Sequence, residues 1–310
     1  MKKWIALLLC AVMCLGLAAC GTSSTTTTTT TTATTSTTAA TTEGTTTAAV
    51  TGSVTAAGSS ALLPLAQAAA EAFMEENKDC SVTVNGGGSG EGLKQVSDGT
   101  VDIGNSDVFA EQKLDASAAA ELTDHQVCTI TMAAVVNASL DVSNLTTDQL
   151  VSIFTGETTN WKDVGGPDLD IILVTRPSTS GTRALFKTWA LNGAEEASNE
   201  ALETDDSGTL LQTVADNEGA IGYVALSYLV NATSVKALSL NGVAPTLENT
   251  YNGTYPVWGY EHMYTKGEGS TAAQAFISYM MGDAFADKLE AMGYGVSSKM
   301  SSAAVSSHNK

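Results

Sequence analysis

The junction between a strand and a helix at residues 171–191 constrains the fold of this chain most. An Ile- and Val-rich run at 171–175 predicts a buried strand, and apolar spacing from 182 to 191 predicts a helix. Between them, Arg176-Pro177 opens a loop of Ser, Thr and Gly residues. Hydroxyls and an arginine at a helix N-terminus favour an oxyanion pocket, because the first N–H groups of a helix lack backbone partners. An ordinary N-capped loop has the same composition.

Two further loops share this composition. Residues 57–62, AGSSAL, lie between a short strand pattern and a helical pattern. Residues 85–107 place Ser89 among four glycines, pass through a short helix and a strand, and end at Asp107. Three separate loops thus offer hydroxyls and open backbone, and one of them adds a single acid.

Strand and helix patterns alternate through residues 51–310, which predicts an α/β fold with a largely parallel core. We predict helices near 62–76, 90–97, 147–154, 182–191, 208–216, 270–281 and 283–291. We predict strands near 53–57, 81–85, 101–104, 127–136, 170–175, 220–224, 235–239 and 257–264. Periodicity alone does not place a domain boundary.

Four motifs carry a family resemblance: GSSAL, GGGSGEGLKQV…VDIGNSD, IFTGETTNW at 153–161 and RPSTSGTR at 176–183. Together, in this order, they resemble the phosphate-binding lipoproteins of bacterial phosphate-specific ABC transporters. The resemblance implies an α/β fold of the type II periplasmic-binding-protein kind, with a ligand cleft between two lobes that are joined by two hinge crossings. Residues 51–134 with 260–310 would form lobe 1, and residues 135–259 lobe 2.

The resemblance also implies which residues bind phosphate. Hydroxyls would come from Ser60, Ser89, Ser180 and Thr182, and backbone N–H groups from Ala61 and Gly181. Asp107 would be the acid of the site, and Arg176 its cation. No cofactor and no metal is implied. The expected partners are inorganic phosphate and the permease subunits of the transporter, and the protein is expected to act as a monomer.

The sequence departs from the family pattern in two places. Ser60 and Ala61 stand where some relatives have Thr and Phe, and Ser178 stands where some have an acid that pairs with the arginine. Nothing obvious in the loop replaces that acid, so the orientation of Arg176 stays open. Arg183 is either a second cation of the site or a solvated helix residue.

The proton that phosphate carries explains why its binding site would contain an acid. Phosphate at neutral pH still carries an O–H group, whereas sulfate carries none. The ionised carboxylate of Asp107 can only accept hydrogen bonds, so it would accept the proton of phosphate and repel the oxygens of sulfate. We therefore expect phosphate to bind in preference to sulfate, and molybdate or another tetrahedral oxyanion is the alternative ligand.

The N-terminus predicts export. Residues 1–19 have a charged start and a short apolar run, and Leu17-Ala18-Ala19-Cys20 resembles a lipobox, so we expect signal-peptide cleavage before a lipidated Cys20. Residues 20–50 would then form the lipidated cysteine and a disordered tether, since 18 of the 28 residues at 22–49 are threonine. This predicts a cell-membrane protein that is lipid-anchored on the extracytoplasmic face.

Charge and the remaining motifs exclude several functions. Without the signal peptide the chain has 12 basic and 33 acidic residues, a formal charge of −21, which disfavours nucleic acid as a partner. The three histidines show no metal-ligand spacing, and no catalytic motif is present, so no enzymatic activity is expected, although a phosphatase stays an alternative. A surface adhesion or sensing protein on the same scaffold is the other alternative. Cys80 and Cys128 could be bonded or free.

Overall fold

A mixed β-sheet of eight strands forms the centre of the computed structural model, which describes residues 50–197 and 202–308. The chain contributes strands β1 Gly52–Gly58, β2 Cys80–Asn85, β3 Ile103–Ser106, β4 Leu122–Asn137, β5 Asn144–Leu145, β6 Ile172–Leu173, β7 Ala220–Ala225, β8 Val235–Ala237, β9 Ser239–Leu240 and β10 Trp258–Lys266. The sheet order is β2-β1-β3-β10-β4-β7-β6, with β8 paired to β4, while β5 and β9 form a separate pair.

Helices pack around this sheet. They are α1 Leu63–Glu76, α2 Ser89–Ser97, α3 Ala116–Ala119, α4 Thr147–Phe154, α5 Gly181–Trp189, α6 Ser207–Asp216, α7 Leu247–Tyr251, α8 Thr271–Met281, α9 Asp283–Ala291 and α10 Ser302–His308. Short 3₁₀ segments lie at Ala110–Gln112, Trp161–Val164, Leu226–Tyr228 and Ser297–Lys299. Among the described residues, no helix is both long and apolar enough to cross a lipid bilayer.

The long strand β4 joins the two halves of the sheet. Its N-terminal part, Leu122–Thr131, pairs with β10, and its C-terminal part, from Met132, pairs with β7 and β8. All these pairings are antiparallel, and so is that between β10 and β3. β1 pairs in parallel with β2 and β3, and β6 with β7. The expected largely parallel core was therefore wrong at the centre of the sheet, because strand periodicity carries no information about strand direction.

The predicted elements were otherwise placed within a few residues, with four differences. The two-residue strand β5 was not predicted. The strand predicted at 170–175 is a two-residue edge strand, Ile172–Leu173. The strand predicted at 235–239 is divided into β8 and β9. Three short helices, α3, α7 and α10, were not predicted, since each spans at most seven residues and shows little periodicity. The predictions for residues 1–49 lie outside the described residues, and the lobe boundaries stay a prediction.

The core shows where Trp161 packs and gives the state of the two cysteines, which the sequence left open. Trp161 is fully buried and its ring N–H donates to the carbonyl of Gly219 at 2.9 Å, so this residue packs within the fold. Cys80 and Cys128 are both buried, and both are free thiols.

Candidate anion-binding site

The predicted site residues meet beside the N-termini of α1, α2 and α5. Each lies in a loop or first turn that the sequence marks with Ser, Thr or Gly, which tolerate the non-helical backbone before a helix. The polar members are almost completely buried, with exposed fractions of 2% or less: Ser60, Ser89, Asp107, Arg176, Ser180 and Thr182. Ala61 is fully buried as well.

Asp107 is held between residues of two different parts of the chain. Its backbone N–H donates to the hydroxyl of Ser89 at 3.0 Å. Its Oδ2 accepts from the hydroxyl of Thr182 at 2.7 Å. Its Oδ1 is buried and has no hydrogen-bond partner among the described residues. One oxygen of the carboxylate is thus fixed, and the other is left to accept a proton.

Gly181 brings the N-terminus of α5 against these same residues. A Cβ atom at this position would lie 2.1 Å from Oγ of Ser89 and 3.0 Å from Cβ of Asp107. Only a residue without a side chain allows this approach. The first turn of α5, whose N–H groups have no partners within the helix, consequently lies next to the acid, where these groups and the helix dipole favour negative charge.

Arg176 supplies a buried cation. Its guanidinium donates to the hydroxyls of Ser207 and Ser60, each at 3.1 Å, and to the backbone carbonyl of Asp205 at 2.9 Å. Its Nε is buried and has no partner among the described residues. The guanidinium therefore has a fixed orientation and still holds one N–H free to donate.

Asp205 is the counterion that the sequence did not reveal. Its carboxylate lies 3.2 Å from the Arg176 guanidinium and accepts from the hydroxyl of Thr179 at 3.0 Å. Asp205 takes the role of the acid that some relatives have at the position of Ser178. It thereby determines how the Arg176 guanidinium is oriented. The sequence signal for Asp205 was the acidic pair 205–206 just before a helix start. Nothing in that pair indicated a contact with residue 176. Ser207 was missed for the same reason.

Ser180 and Arg183 have roles within α5. The Ser180 hydroxyl caps the helix by accepting from the Arg183 N–H at 3.2 Å, which leaves its own proton free to donate. The Arg183 guanidinium donates to the backbone carbonyl of Arg176 at 2.5 Å and is mostly buried. Arg183 thus supports the loop, which is neither of the two roles considered from the sequence.

The loop that carries Ser60 and Ala61 is held through its carbonyl groups. The Tyr228 hydroxyl donates to the carbonyl of Ser60 and the Tyr294 hydroxyl to that of Ala61, each at 2.6 Å. Bonds to the carbonyls fix the peptide planes, so that the adjoining amide and the Ser60 hydroxyl have defined directions.

Lys113 adds a contact that sequence reasoning missed. Its ammonium donates to the carbonyls of Ser178 at 2.6 Å and Ser180 at 3.2 Å. Burial lowers the pKa of Lys113, and the carboxylates of Asp107 and Asp205 act in the opposite direction. The lysine follows the strand that leads to Asp107, so it ties that loop to the Arg176 loop.

The unpaired atoms define the chemistry of the site. A free acceptor on Asp107 and a free donor on Arg176 lie among hydroxyls and helix N-termini, which suits an oxyanion that still carries a proton. No group of three or more His, Cys, Asp or Glu residues suited to a metal ion occurs in the described part of the chain.

The sequence matches the family described as a PBP superfamily domain over residues 21–284. It is 52% identical over 226 residues to the phosphate-binding protein PstS of Bacillus subtilis. The matched region covers 72% of this chain and 73% of that protein. This chain belongs to the PstS family of the PBP superfamily. The family membership agrees with the resemblance that its loop motifs carry.

Solved structures share the fold of the family. A Clostridium perfringens protein described as a phosphate ABC transporter substrate-binding protein, solved with bound phosphate, is 30% identical with a TM-score of 0.72, covering 79% of this chain and 99% of that one. An ABC-type phosphate transport receptor from Vibrio cholerae is 27% identical with a TM-score of 0.62, covering 78% of this chain and 99% of that one. The type II binding-protein fold predicted for this family is thereby confirmed.

Proposed function

We propose that this protein captures inorganic phosphate outside the cytoplasm and delivers it to the permease of an ABC transporter. The observation that carries the proposal is Oδ1 of Asp107, a buried acceptor that has no hydrogen-bond partner among the described residues, beside hydroxyls and helix N-termini that can donate. The names of the Bacillus, Clostridium and Vibrio relatives support the same ligand.

Each part of the site has a role in holding the ion. Arg176 supplies positive charge, and the hydroxyls of Ser60, Ser89 and Ser180 with the amides of Ala61 and Gly181 donate to phosphate oxygens. The single hydroxyl proton of Thr182 is donated to Asp107, so Thr182, expected as a phosphate donor, instead holds the carboxylate in place. Hydrogen bonds to a charged group contribute ~1.5–3 kcal/mol each. Several of them together compensate for the water that the ion loses on entering a buried site.

Asp107 selects for phosphate over sulfate. Its carboxylate accepts the O–H of HPO₄²⁻ or H₂PO₄⁻, but faces the lone pairs of sulfate. In a buried pocket that repulsion is not screened by water, so a single residue can discriminate between two ions of similar size.

Capture outside the cytoplasm implies export and attachment. Removal of the signal peptide and lipidation of Cys20 would anchor the chain to the membrane surface, with the threonine-rich segment as a tether. Over 28 residues of random coil such a tether spans on the order of 30 Å, which is enough to reach a neighbouring permease. The monomeric state and the two-lobed closure around the ligand belong to this proposal.

Calorimetry on protein stripped of ligand by unfolding and refolding tests the proposal. We expect phosphate to bind at one site per chain, and mass spectrometry of the material released on unfolding to detect phosphate. Binding of sulfate or molybdate within about tenfold of phosphate, a difference of ~1.4 kcal/mol, would contradict the assignment of the ligand. Anchoring is tested separately, by mass spectrometry of the mature N-terminus.

A further inference from the structure

A second buried acid, Glu261, lies beside Asp107. It belongs to β10, where the neighbouring His262 pairs with Ser106 of β3, so the antiparallel register brings residue 261 next to residue 107. The pairing of β10 with β4 is irregular between Glu261 and His262. Glu261 is fully buried, although a charged residue rarely is without a partner.

No cation lies near Glu261 in the described part of the chain. The groups that face it are the Asp107 carboxyl, the Cys128 thiol, the phenols of Tyr228 and Tyr294, and the Ser59 hydroxyl, which acts against the rise in the pKa of Glu261. Burial raises the pKa of the thiol and of both phenols, so these three groups are neutral around pH 7. His262 points its ring at Asp124, with Nδ1 and Oδ1 2.8 Å apart.

Three carboxyl oxygens in this cluster have no hydrogen-bond donor among the described residues. They are Oδ1 of Asp107 and both oxygens of Glu261. Two ionised carboxylates in contact offer only acceptors and repel each other, whereas one proton between them creates a donor and removes one charge.

We infer that Glu261 carries a proton at neutral pH and donates it in a hydrogen bond to Asp107, and so positions Asp107 as the acceptor for the ligand. The two oxygens of a carboxylate offer about four acceptor positions, so Asp107 can accept from Glu261 and Thr182 and still accept from the ligand. The inference rests on the proposed function of this site and deepens it. Burial, with the adjacent Asp107 carboxylate, raises the pKa of Glu261 well above its ordinary value. Asp107 takes the negative charge, because it accepts from the Thr182 hydroxyl and lies near the Lys113 ammonium.

This arrangement has a consequence for selectivity. A carboxylate that has lost a buried donor takes up a proton more readily, because burial penalises its charged form. A protonated Asp107 would donate to either anion and would lose its preference for phosphate. Glu261 therefore maintains selectivity from behind Asp107, without touching the ligand.

The proton on Glu261 can be observed directly at about pH 8. Infrared difference spectra between wild type and Glu261→Gln should show the loss of one protonated-carboxyl C=O band. Glu196→Gln is the matched control, since the pKa of Glu196 is raised only to about 7 and its carboxyl is mostly ionised at that pH. An identical carboxyl region in wild type and Glu261→Gln would overturn the inference. If that variant does not fold, wild type with ¹³C-labelled Glu carboxyls should show one carboxyl that stays protonated at this pH.

The positioning role is tested by the ratio of sulfate to phosphate dissociation constants at about pH 5.5. Glu261→Met keeps the volume but removes the donor, and should narrow the ratio by about tenfold, as expected for one charge-assisted hydrogen bond. Glu261→Gln keeps a donor and should leave the ratio within about threefold of wild type. Equal ratios in both variants would overturn the role. Wild type that does not bind phosphate would refute the proposed function instead, and the infrared result would still decide where the proton lies.

Discussion

At the scale of residues, the site combines a cation and an acid that do not neutralise each other. Arg176 is paired with Asp205 through a contact of 3.2 Å, whereas Asp107 is bonded to the Thr182 hydroxyl. Each charge thus has its own partner and keeps one atom for the ligand. A site built in this way attracts an anion and still recognises the proton on it.

Removal of the guanidinium tests the cation. We expect Arg176→Ala to weaken phosphate binding by at least about a hundredfold, since ~2.7 kcal/mol is modest for a charge-assisted interaction in a buried site. Calorimetry measures this, with Lys94→Ala as the control for loss of one exposed positive charge. A loss below about tenfold would mean that another cation holds the phosphate.

The loop motifs predicted that the site residues lie together, but they did not indicate the residues that hold them in place. Ser89, Asp107 and Thr182 lie in recognisable motifs, and the structure brings them within hydrogen-bond distance. Asp205 and Glu261 lie in stretches without such a motif. Their importance comes from contacts across the fold, which spacing along the chain does not encode.

At the scale of elements, α5 depends on a glycine at its first residue. Gly181→Ala should weaken phosphate binding by about tenfold or more, because its methyl group would force α5 away from Ser89 and Asp107. Helix propensity would change in the opposite direction, since Ala is the better helix former. Calorimetry and thermal unfolding should therefore separate lost binding from lost stability.

Gly208→Ala is the matched control for this substitution. It also lies in the first turn of a helix, and its Cβ would come no closer than 3.3 Å to another residue. We expect its phosphate affinity to stay within about threefold of wild type. Unchanged affinity in Gly181→Ala would show that α5 does not contact the ligand closely.

The segment after α5 contains a buried acid that should make stability depend on pH. Burial raises the pKa of Glu196 to about 7, with the Tyr223 hydroxyl and Arg183 acting against that shift. The folded state then binds a proton that the unfolded state releases above pH ~4.5, so the free energy of unfolding falls as pH rises toward 7. The loss is on the order of 3 kcal/mol.

Glu196→Gln removes this titration. Urea unfolding at several values between about pH 5 and 8 should show a shallower decline in the free energy of unfolding for the variant than for wild type. Parallel profiles would mean that Glu196 stays ionised in the folded protein.

The elements themselves show what periodicity could and could not predict. Helices α4 and α9 begin and end where their apolar spacing predicted. The strand predicted at 170–175 was too long, because only Ile172–Leu173 lie beside β7 at the edge of the sheet. Strand length depends on the neighbouring strand, which a local pattern does not contain.

At the scale of the whole molecule, the strongly acidic chain is compatible with an anion ligand. Screening at physiological salt acts over ~8 Å, so distant surface carboxylates contribute little at the site. Donors in contact with the ion act without such screening. The overall charge should slow the approach of phosphate more than it weakens its binding.

The proposed closure of the two lobes around phosphate should depend on Lys113, which joins the Asp107 loop to the Arg176 loop. We expect Lys113→Met to speed phosphate release by about tenfold, because the bonds to the carbonyls of Ser178 and Ser180 would be lost. Stopped-flow release measures this, and Lys94→Met controls for lost charge. An unchanged release rate would exclude Lys113 from closure.

The central claim is that the carboxylate of Asp107 accepts the proton of the bound ion. Calorimetric titration of wild type and Asp107→Asn with phosphate and sulfate at neutral pH tests it most directly, with Asp98→Asn as a surface control. We expect Asp107→Asn to reduce the preference for phosphate over sulfate by about a hundredfold or more, since an amide can donate to either ion. An unchanged preference in Asp107→Asn would contradict it.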